Sequence, residues 1–271
     1  MINLFWADEC GLPANDRGLA YGDGLFETIR MEGVRGALLA RHLERMSRDA
    51  GRLGIAVSRN ELKEVCAKAA ERFSGRYQDG WVLKLLLTRG AGGRGYRSEV
   101  GMRPNLLVSG AVLPPPVSPL GVAVDLSRVA LTVHPLFVGI KSLNRLEQVM
   151  ASREINDSLF EVVMSNHEGH LVEGTRTNLI LKIPDGWITP PKSSLAVAGV
   201  MRQWVLDSLH ERGESIVERP LTMADVLDPG CRGLFLLNSV QGVVPVREFA
   251  GHHLPVDSGL ATICNLLETL E

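Results

Sequence analysis

Leu113-Pro114-Pro115-Pro116-Val117-Ser118-Pro119-Leu120 is the stretch that divides this chain. Four prolines in six positions fix φ and remove backbone donors, so the segment forbids helix and reads as a stiff, extended connection. It separates an N-terminal domain over residues 1–113 from a larger C-terminal domain over 121–271, with 114–120 as the linker. Upstream, Gly24 to Met31 reads as a strand turning at Glu32-Gly33. Leu39, Leu43, Met46, Ala50 and Leu53 then recur at helical spacing as far as Gly54. Ser58 and Glu61 have capping-box spacing, and Leu62, Val65, Ala69 and Phe73 carry a second helix toward Gly75. Trp81 to Thr88 and Asn105 to Leu113 are apolar strands. Downstream, strands are expected at Gly121 to Leu126, Val129 to Val133, Glu161 to Ser165, Thr177 to Ile183 and Gly233 to Leu237. Helices are expected at about Leu143 to Ile155, Val200 to Glu211 and Leu260 to Leu270. Strands and helices come in mixed blocks without regular alternation, so the fold class is α+β (mixed α/β), in two lobes.

The 271 residues, 45% hydrophobic and 22% charged, describe a globular protein that needs no disulfide or metal staple. Twenty-nine Lys and Arg against 31 Asp and Glu leave a formal charge of -2 without long single-sign runs, which argues against nucleic acid or an anionic membrane as partner. A small molecule is the expected partner. Cys10, Cys66, Cys231 and Cys264 are widely spaced and form no C-x-x-C pair, which fits a reducing cytoplasm. The acids Asp8 and Glu9 stand where a signal peptide needs its apolar stretch, and no apolar run has membrane-spanning length.

Gly90, Gly92 and Gly95 satisfy G-x-G-x-x-G directly after a strand, yet no helix can start in Tyr96-Arg97-Ser98-Glu99-Val100-Gly101-Met102-Arg103-Pro104. No acid follows in Gly110-Ala111-Val112-Leu113-Pro114 either, so dinucleotide binding is rejected. Arg89, Arg94 and Arg97 among four glycines and Tyr96 suit either a grip on a carboxylate or a solvated hairpin with charged tips. His167 to His170 lacks metalloprotease spacing and reads as a turn, and His252-His253 as a surface loop, so no metal site is expected.

Only six basic residues are lysine, which makes carbonyl chemistry enumerable. Lys63 and Lys68 lie on the polar side of a helix and Lys192 in a polar loop, while Lys84 and Lys182 read as outward-facing strand residues. Lys141 differs, because Pro135-Leu136-Phe137-Val138-Gly139-Ile140 leads into it and Leu143, Leu146, Val149 and Met150 follow. It is either an amine whose charge is disfavoured by apolar surroundings, hence a nucleophile, or a lysine snorkelling from a strand end.

Five segments then carry a resemblance. They are Asp16-Arg17-Gly18-Leu19-Ala20-Tyr21-Gly22-Asp23-Gly24-Leu25-Phe26-Glu27-Thr28; His42-Leu43-Glu44-Arg45-Met46; Gly139-Ile140-Lys141-Ser142-Leu143-Asn144-Arg145-Leu146-Glu147-Gln148; Glu173-Gly174-Thr175-Arg176-Thr177-Asn178-Leu179; and Ala198-Gly199-Val200-Met201-Arg202. In this order and over nearly the whole chain they resemble the fold-type IV pyridoxal phosphate enzymes, a group that includes branched-chain and D-amino acid aminotransferases. Within it, Arg89-Gly90-Ala91-Gly92-Gly93-Arg94-Gly95-Tyr96 together with Lys141 to Gln148 is similar to the 4-amino-4-deoxychorismate lyase branch.

The resemblance implies a two-lobed architecture with the active site between the lobes, and pyridoxal 5'-phosphate as cofactor. It makes Lys141 the covalent anchor of the cofactor and the proton-shuttling base, and Glu173 the partner of the pyridine nitrogen. Arg45 and the backbone N–H groups of Val200 and Met201, where a helix opens, would hold the phosphate. Asn238 and Ser239, with Val240, correspond to a further cofactor-contact turn, and Asn178 to a position either near the cofactor or structural. Thr28 matches a position near the substrate, where it would assist proton transfer, bind a carboxylate or serve as a plain strand residue. Arg94, Tyr96 and Arg97 would neighbour the substrate's two carboxylates.

The implied reaction converts 4-amino-4-deoxychorismate to 4-aminobenzoate and pyruvate on the way to folate, in a homodimer. Two rivals stand beside it: a fold-type IV aminotransferase of branched-chain or D-amino acid type using the same Lys141, Glu173 and Arg45, and a non-catalytic carrier of the cofactor.

Overall fold

In a computed structural model that describes every residue except Met1, Cys10 and Gln78, the chain contacts cluster into two compact units. The first comprises Met1–Pro114, Lys141–Asn144 and Leu267–Glu271, and the second Pro115–Ile140 and Arg145–Leu266. Residues 141–144 and 267–271 therefore belong by their contacts to the first unit, although they follow the prolines in sequence.

The first unit runs β1 (Asn3–Trp6), α1 (Arg17–Tyr21), β2 (Gly24–Glu32), β3 (Arg35–Gly36), α2 (Leu39–Leu53), α3 (Arg59–Phe73), β4 (Trp81–Thr88) and β5 (Asn105–Val112). Its five strands order as β1-β5-β4-β2-β3; β1 and β5 are parallel and the remaining pairs antiparallel. The period-2 alternation of β2 buries Leu25, Ile29 and Met31, and α2 packs against this strand with Leu43, Met46 and Ala50. Ser58 and Glu61 close the capping box of α3 reciprocally. Gly54 ends α2 at φ 67°, a left-handed conformation that only glycine adopts cheaply, and returns its N–H to Ala50 and Gly51.

The second unit continues with β6 (Val122–Leu126), α4 (Leu146–Ser152), β7 (Glu161–Ser165), β8 (Leu171–Gly174), β9 (Asn178–Ile183), β10 (Gly186–Thr189), α5 (Val200–Glu211), β11 (Ile216–Glu218), α6 (Met223–Leu227), β12 (Gly233–Asn238), β13 (Gly242–Phe249), β14 (His252–His253) and α7 (Gly259–Ile263). Its main sheet follows β11-β10-β9-β12-β13-β6-β7-β8, and the path returns on itself where Glu173 of β8 pairs with Asn178 of β9. One core gathers Val163, Leu181, Leu236, Val246 and Phe249; a second gathers Leu131, Val162, Met164 and Val172. No helix among the described residues is long and apolar enough to cross a membrane.

Three expected elements differ. Val129 to Val133 forms no strand: Leu131 is buried and donates one backbone bond to Ser165, but no ladder develops. The helix expected from Leu143 to Ile155 shrinks to α4, because the Ser142 and Leu143 backbone is committed to Leu25 and Gly24. The terminal helix is likewise only α7 and a short 3-10 turn over Leu266–Thr269, since the tail spends its backbone groups elsewhere. Thr269 O accepts from Leu38, Glu271 exchanges backbone bonds with Gly36, and the Glu271 carboxylate accepts the Ala40 N–H in the first turn of α2.

Candidate active site

Each unit carries one of the constellations that the sequence singled out. In the first, Lys141 O accepts the Phe26 N–H at 3.0 Å and Ser142 bridges Leu25, so the lysine is laid along the start of β2. Its Nζ lies 4.2 Å from the centroid of the half-buried Phe26 ring. The negative face of the ring attracts the amine and holds it in place along the sheet. Thr28 stands two residues along the same strand face, half-buried.

On the opposite face of β2, Glu27 occupies a core-facing position among Leu25, Ile29 and Met31 and is 1% exposed. Its carboxylate accepts from Arg45 Nε at 2.7 Å and from Arg45 Nη2 at 2.5 Å, and pairs with His42 Nδ1 at 2.6 Å. Burial alone would push Glu27 up, but the Arg45 guanidinium with the His42 ring outweighs it and holds the carboxyl down to about 2. Burial pushes His42 down against the pull of Glu27, so the imidazole is neutral at pH 7 and donates through Nδ1. Its Nε2 is then an acceptor, buried without a hydrogen-bond partner among the described residues. Sequence reasoning singled out Arg45 but overlooked Glu27 and His42. The available signal was an acid standing in the buried period of an apolar strand.

The glycine loop after β4 is held by arginines rather than left loose. Arg17, 4% exposed, donates to Gly95 O at 2.9 Å and Tyr96 O at 2.6 Å while its Nε pairs with Asp23. Tyr21 meets Tyr96 edge-on at 5.4 Å. Arg89 is committed to Asp23 and to the carbonyls of Leu53 and Gly54. It therefore clamps the loop to the end of α2. Burial raises the Asp23 carboxyl, but Arg89 and Arg17 together bring it below the ordinary range. Asp16, fully buried, caps α1 through Oδ1 and accepts from Thr88 and Asn105 through Oδ2. Arg94, Tyr96 and Arg97 project from this anchored loop at exposed positions.

In the second unit, Glu173 is 3% exposed and its Oε2 accepts the Val197 N–H at 3.1 Å. Asn178 pairs with Glu173 and Leu237 in the sheet and donates its amide to Val197 O at 3.0 Å. Gly199 then caps α5. A Cβ there would overlap the Asn178 side-chain oxygen, so the close approach requires glycine. The first turn of α5, opening at Val200 and Met201, has no side-chain cap and no acid, which leaves the positive end of the helix uncompensated. Asn238 Oδ1 accepts the N–H groups of Val240 and Gln241, forming a tight turn around Ser239 between β12 and β13. Because Leu237 pairs with Asn178, the turn, Glu173 and the opening of α5 share one end of this sheet. Glu161, which no motif marks, is fully buried: it accepts from Thr175 Oγ1 at 2.7 Å and from Arg176 N, fixing the turn between Glu173 and Asn178. Burial raises its carboxyl above the usual value despite the Thr175 bond.

The chain is similar to several known proteins over nearly its whole length. The chain is 29% identical over 272 residues to the aminodeoxychorismate lyase of Vibrio harveyi, covering 98% of each chain. It is 30% identical over 241 residues to a putative branched-chain-amino-acid aminotransferase of Methanocaldococcus jannaschii, covering 87% and 82%. The solved 4-amino-4-deoxychorismate lyase of Pseudomonas aeruginosa matches with a TM-score of 0.85 at 35% identity, covering 94% of this chain and 93% of that one. The model of the amino-transferase class IV family matches residues 24–249, a span that holds Lys141, Glu173, Arg45 and the opening of α5. With this match over most of its length, the chain belongs to the amino-transferase class IV family and is a fold-type IV enzyme.

Proposed function

We propose that this enzyme is a pyridoxal-phosphate-dependent lyase that converts 4-amino-4-deoxychorismate to 4-aminobenzoate and pyruvate. The observation that carries the reading is the Lys141 amine on the Phe26 face, in a chain 35% identical to a solved lyase over nearly its whole length.

The residues fit the cofactor. An uncapped α5 N-terminus opened by glycine suits a phosphate dianion, and Arg45, fixed by Glu27, offers a guanidinium in a set orientation. Glu173, held by the Val197 N–H, is a buried carboxylate able to keep a proton on a ring nitrogen. When bound, pyridoxal phosphate supplies an electron sink for the carbon next to the substrate amine. Lys141 would anchor the cofactor through Nζ and would take the proton from that carbon as base. Thr28, on the same strand face as Phe26, orients the substrate or relays a proton. Arg94, Tyr96 and Arg97 supply donors for carboxylates from a loop that Arg17 and Arg89 hold in place. Expelling the enolpyruvyl group leaves an aromatic ring, which makes the step strongly downhill.

The test is to incubate the purified protein with pyridoxal phosphate and 4-amino-4-deoxychorismate and to follow both products. Equal release of 4-aminobenzoate and pyruvate without added keto acid is expected, and Lys141→Ala should lose both turnover and covalent cofactor. Similarity to the Methanocaldococcus jannaschii aminotransferase supports a second reading, transamination at the same lysine. Consumption of an amine only when a keto acid is present would establish that reading instead. We also infer a homodimer, supported by the exposed Leu136, Phe137, Leu146, Val149 and Met150 of the second unit; light scattering at twice the chain mass is the expected result.

A further inference from the structure

Lys84 reads in the sequence as an ordinary outward-facing strand residue, yet its surroundings are not ordinary. It pairs with Thr28 across β2 and β4, which puts both side chains on the sheet face that carries Phe26, away from the core face of Leu83 and Leu85. Its Nζ lies 5.7 Å from the centroid of the Phe26 ring, while the Nζ of Lys141 lies 4.2 Å from the same centroid. Two of the six lysines thus converge on one aromatic ring, with their amines within ~10 Å of each other. An anion received between the two ammonium groups is attracted by both.

We propose that Lys84 is a specificity-determining residue whose ammonium receives a carboxylate of the substrate. The inference rests on the lyase reading and names how that site selects a dicarboxylate. In the lyase reading the substrate amine lies beside Lys141, and a ring carboxylate sits across the six-membered ring from that amine, so the substrate itself spans from one lysine toward the other. A flexible four-carbon stem ending in a point charge suits this task. Being exposed, Lys84 can be replaced without touching the buried face of β4 that carries Leu83 and Leu85.

The experiment compares wild type, Lys84→Met and Lys84→Arg by kcat and KM for 4-amino-4-deoxychorismate and by the dissociation constant of pyridoxal phosphate. It adds equilibrium binding of chorismate, which carries the same two carboxylates with a hydroxyl in place of the amine and so reports binding without the chemistry. A charge-assisted hydrogen bond is worth about 10-fold or more in affinity, so Lys84→Met should raise KM and weaken chorismate binding by about that factor. The cofactor constant and kcat should stay within about threefold, and Lys84→Arg should recover most of the loss. KM and chorismate binding of Lys84→Met within about twofold of wild type would overturn the assignment while leaving the lyase reading intact. A wild type that binds chorismate through Lys84 but yields no 4-aminobenzoate would instead remove the lyase reading and keep the carboxylate site. A wild type that does neither removes both.

Discussion

Replacing Glu27 by glutamine removes the buried negative charge paired with Arg45 inside the first unit. Both side chains are at most 5% exposed and joined through two guanidinium nitrogens, so the arginine cannot escape to water without repacking α2 against β2. Two routes give the magnitude. A carboxyl lowered from 4.5 to about 2 corresponds to about 3 kcal/mol of native-state stabilisation, and breaking a buried pair by removing one partner costs about 3–5 kcal/mol. Glu27→Gln keeps the volume, so the lower value applies; for a chain of this size Tm should fall by roughly 6–12 °C. The sign with pH follows from the lowered carboxyl. Stability from this group is fully present above the unfolded value of 4.5 and is lost as pH falls toward about 2, so the wild-type advantage should shrink across that interval. Thermal unfolding of the cofactor-free protein at pH 7 and at steps down to pH 3 measures both effects. Replacing both residues, as Glu27→Gln with Arg45→Met, should recover part of the loss, because no charge is then stranded. A single-variant shift below about 2 °C at pH 7, or a double variant worse than the sum of the singles, would refute the reasoning.

Gly199→Ala should force Asn178 aside at the opening of α5 and raise the dissociation constant of pyridoxal phosphate by about tenfold or more, read by absorbance titration. Ser58→Ala removes one half of the α3 capping box and should cost about 1 kcal/mol, a Tm drop of roughly 2–4 °C with turnover unchanged. Arg17→Leu releases the Gly95 and Tyr96 carbonyls, so limited proteolysis should cut between residues 90 and 104 faster than in wild type. Cys66, Cys231 and Cys264 are buried and their thiols are raised by burial, Cys66 to about 12, so all three should react with a thiol reagent only after denaturant is added. Cys10 lies outside the described residues.

Where a local signal and a packing face agree, the sequence is readable. β2, α2, α5 and the Ser58-Glu61 box follow from periodicity, glycine stops and capping chemistry that act within a few residues. The misjudged elements are those whose backbone partners are distant. Leu143 sits in a helical pattern but gives its N–H to Gly24, and the tail after Cys264 gives up helix to pair with residues 36–38. The same distinction holds at the site. The apolar approach to Lys141 is visible in sequence, whereas Phe26, the ring it rests on, is 115 residues away along the chain. Arg45 looks like any helical arginine until Glu27 is placed across from it, and the loop arginines look equivalent until Asp23 claims Arg89.

Residues 267–271 bear on the order in which the first unit can be completed. Gly36, Leu38 and Ala40 find hydrogen-bond partners on Thr269 and Glu271, and Leu38, which precedes α2, has no side-chain cap of its own. The entrance to the helix that carries His42 and Arg45 is thus completed by chain that leaves the ribosome more than 200 residues later. The N-terminal unit therefore waits, its lysine segment and residues 267–271 both still to be synthesised, and nascent chains stalled before residue 267 should expose α2 to proteases that chains extending past residue 271 resist.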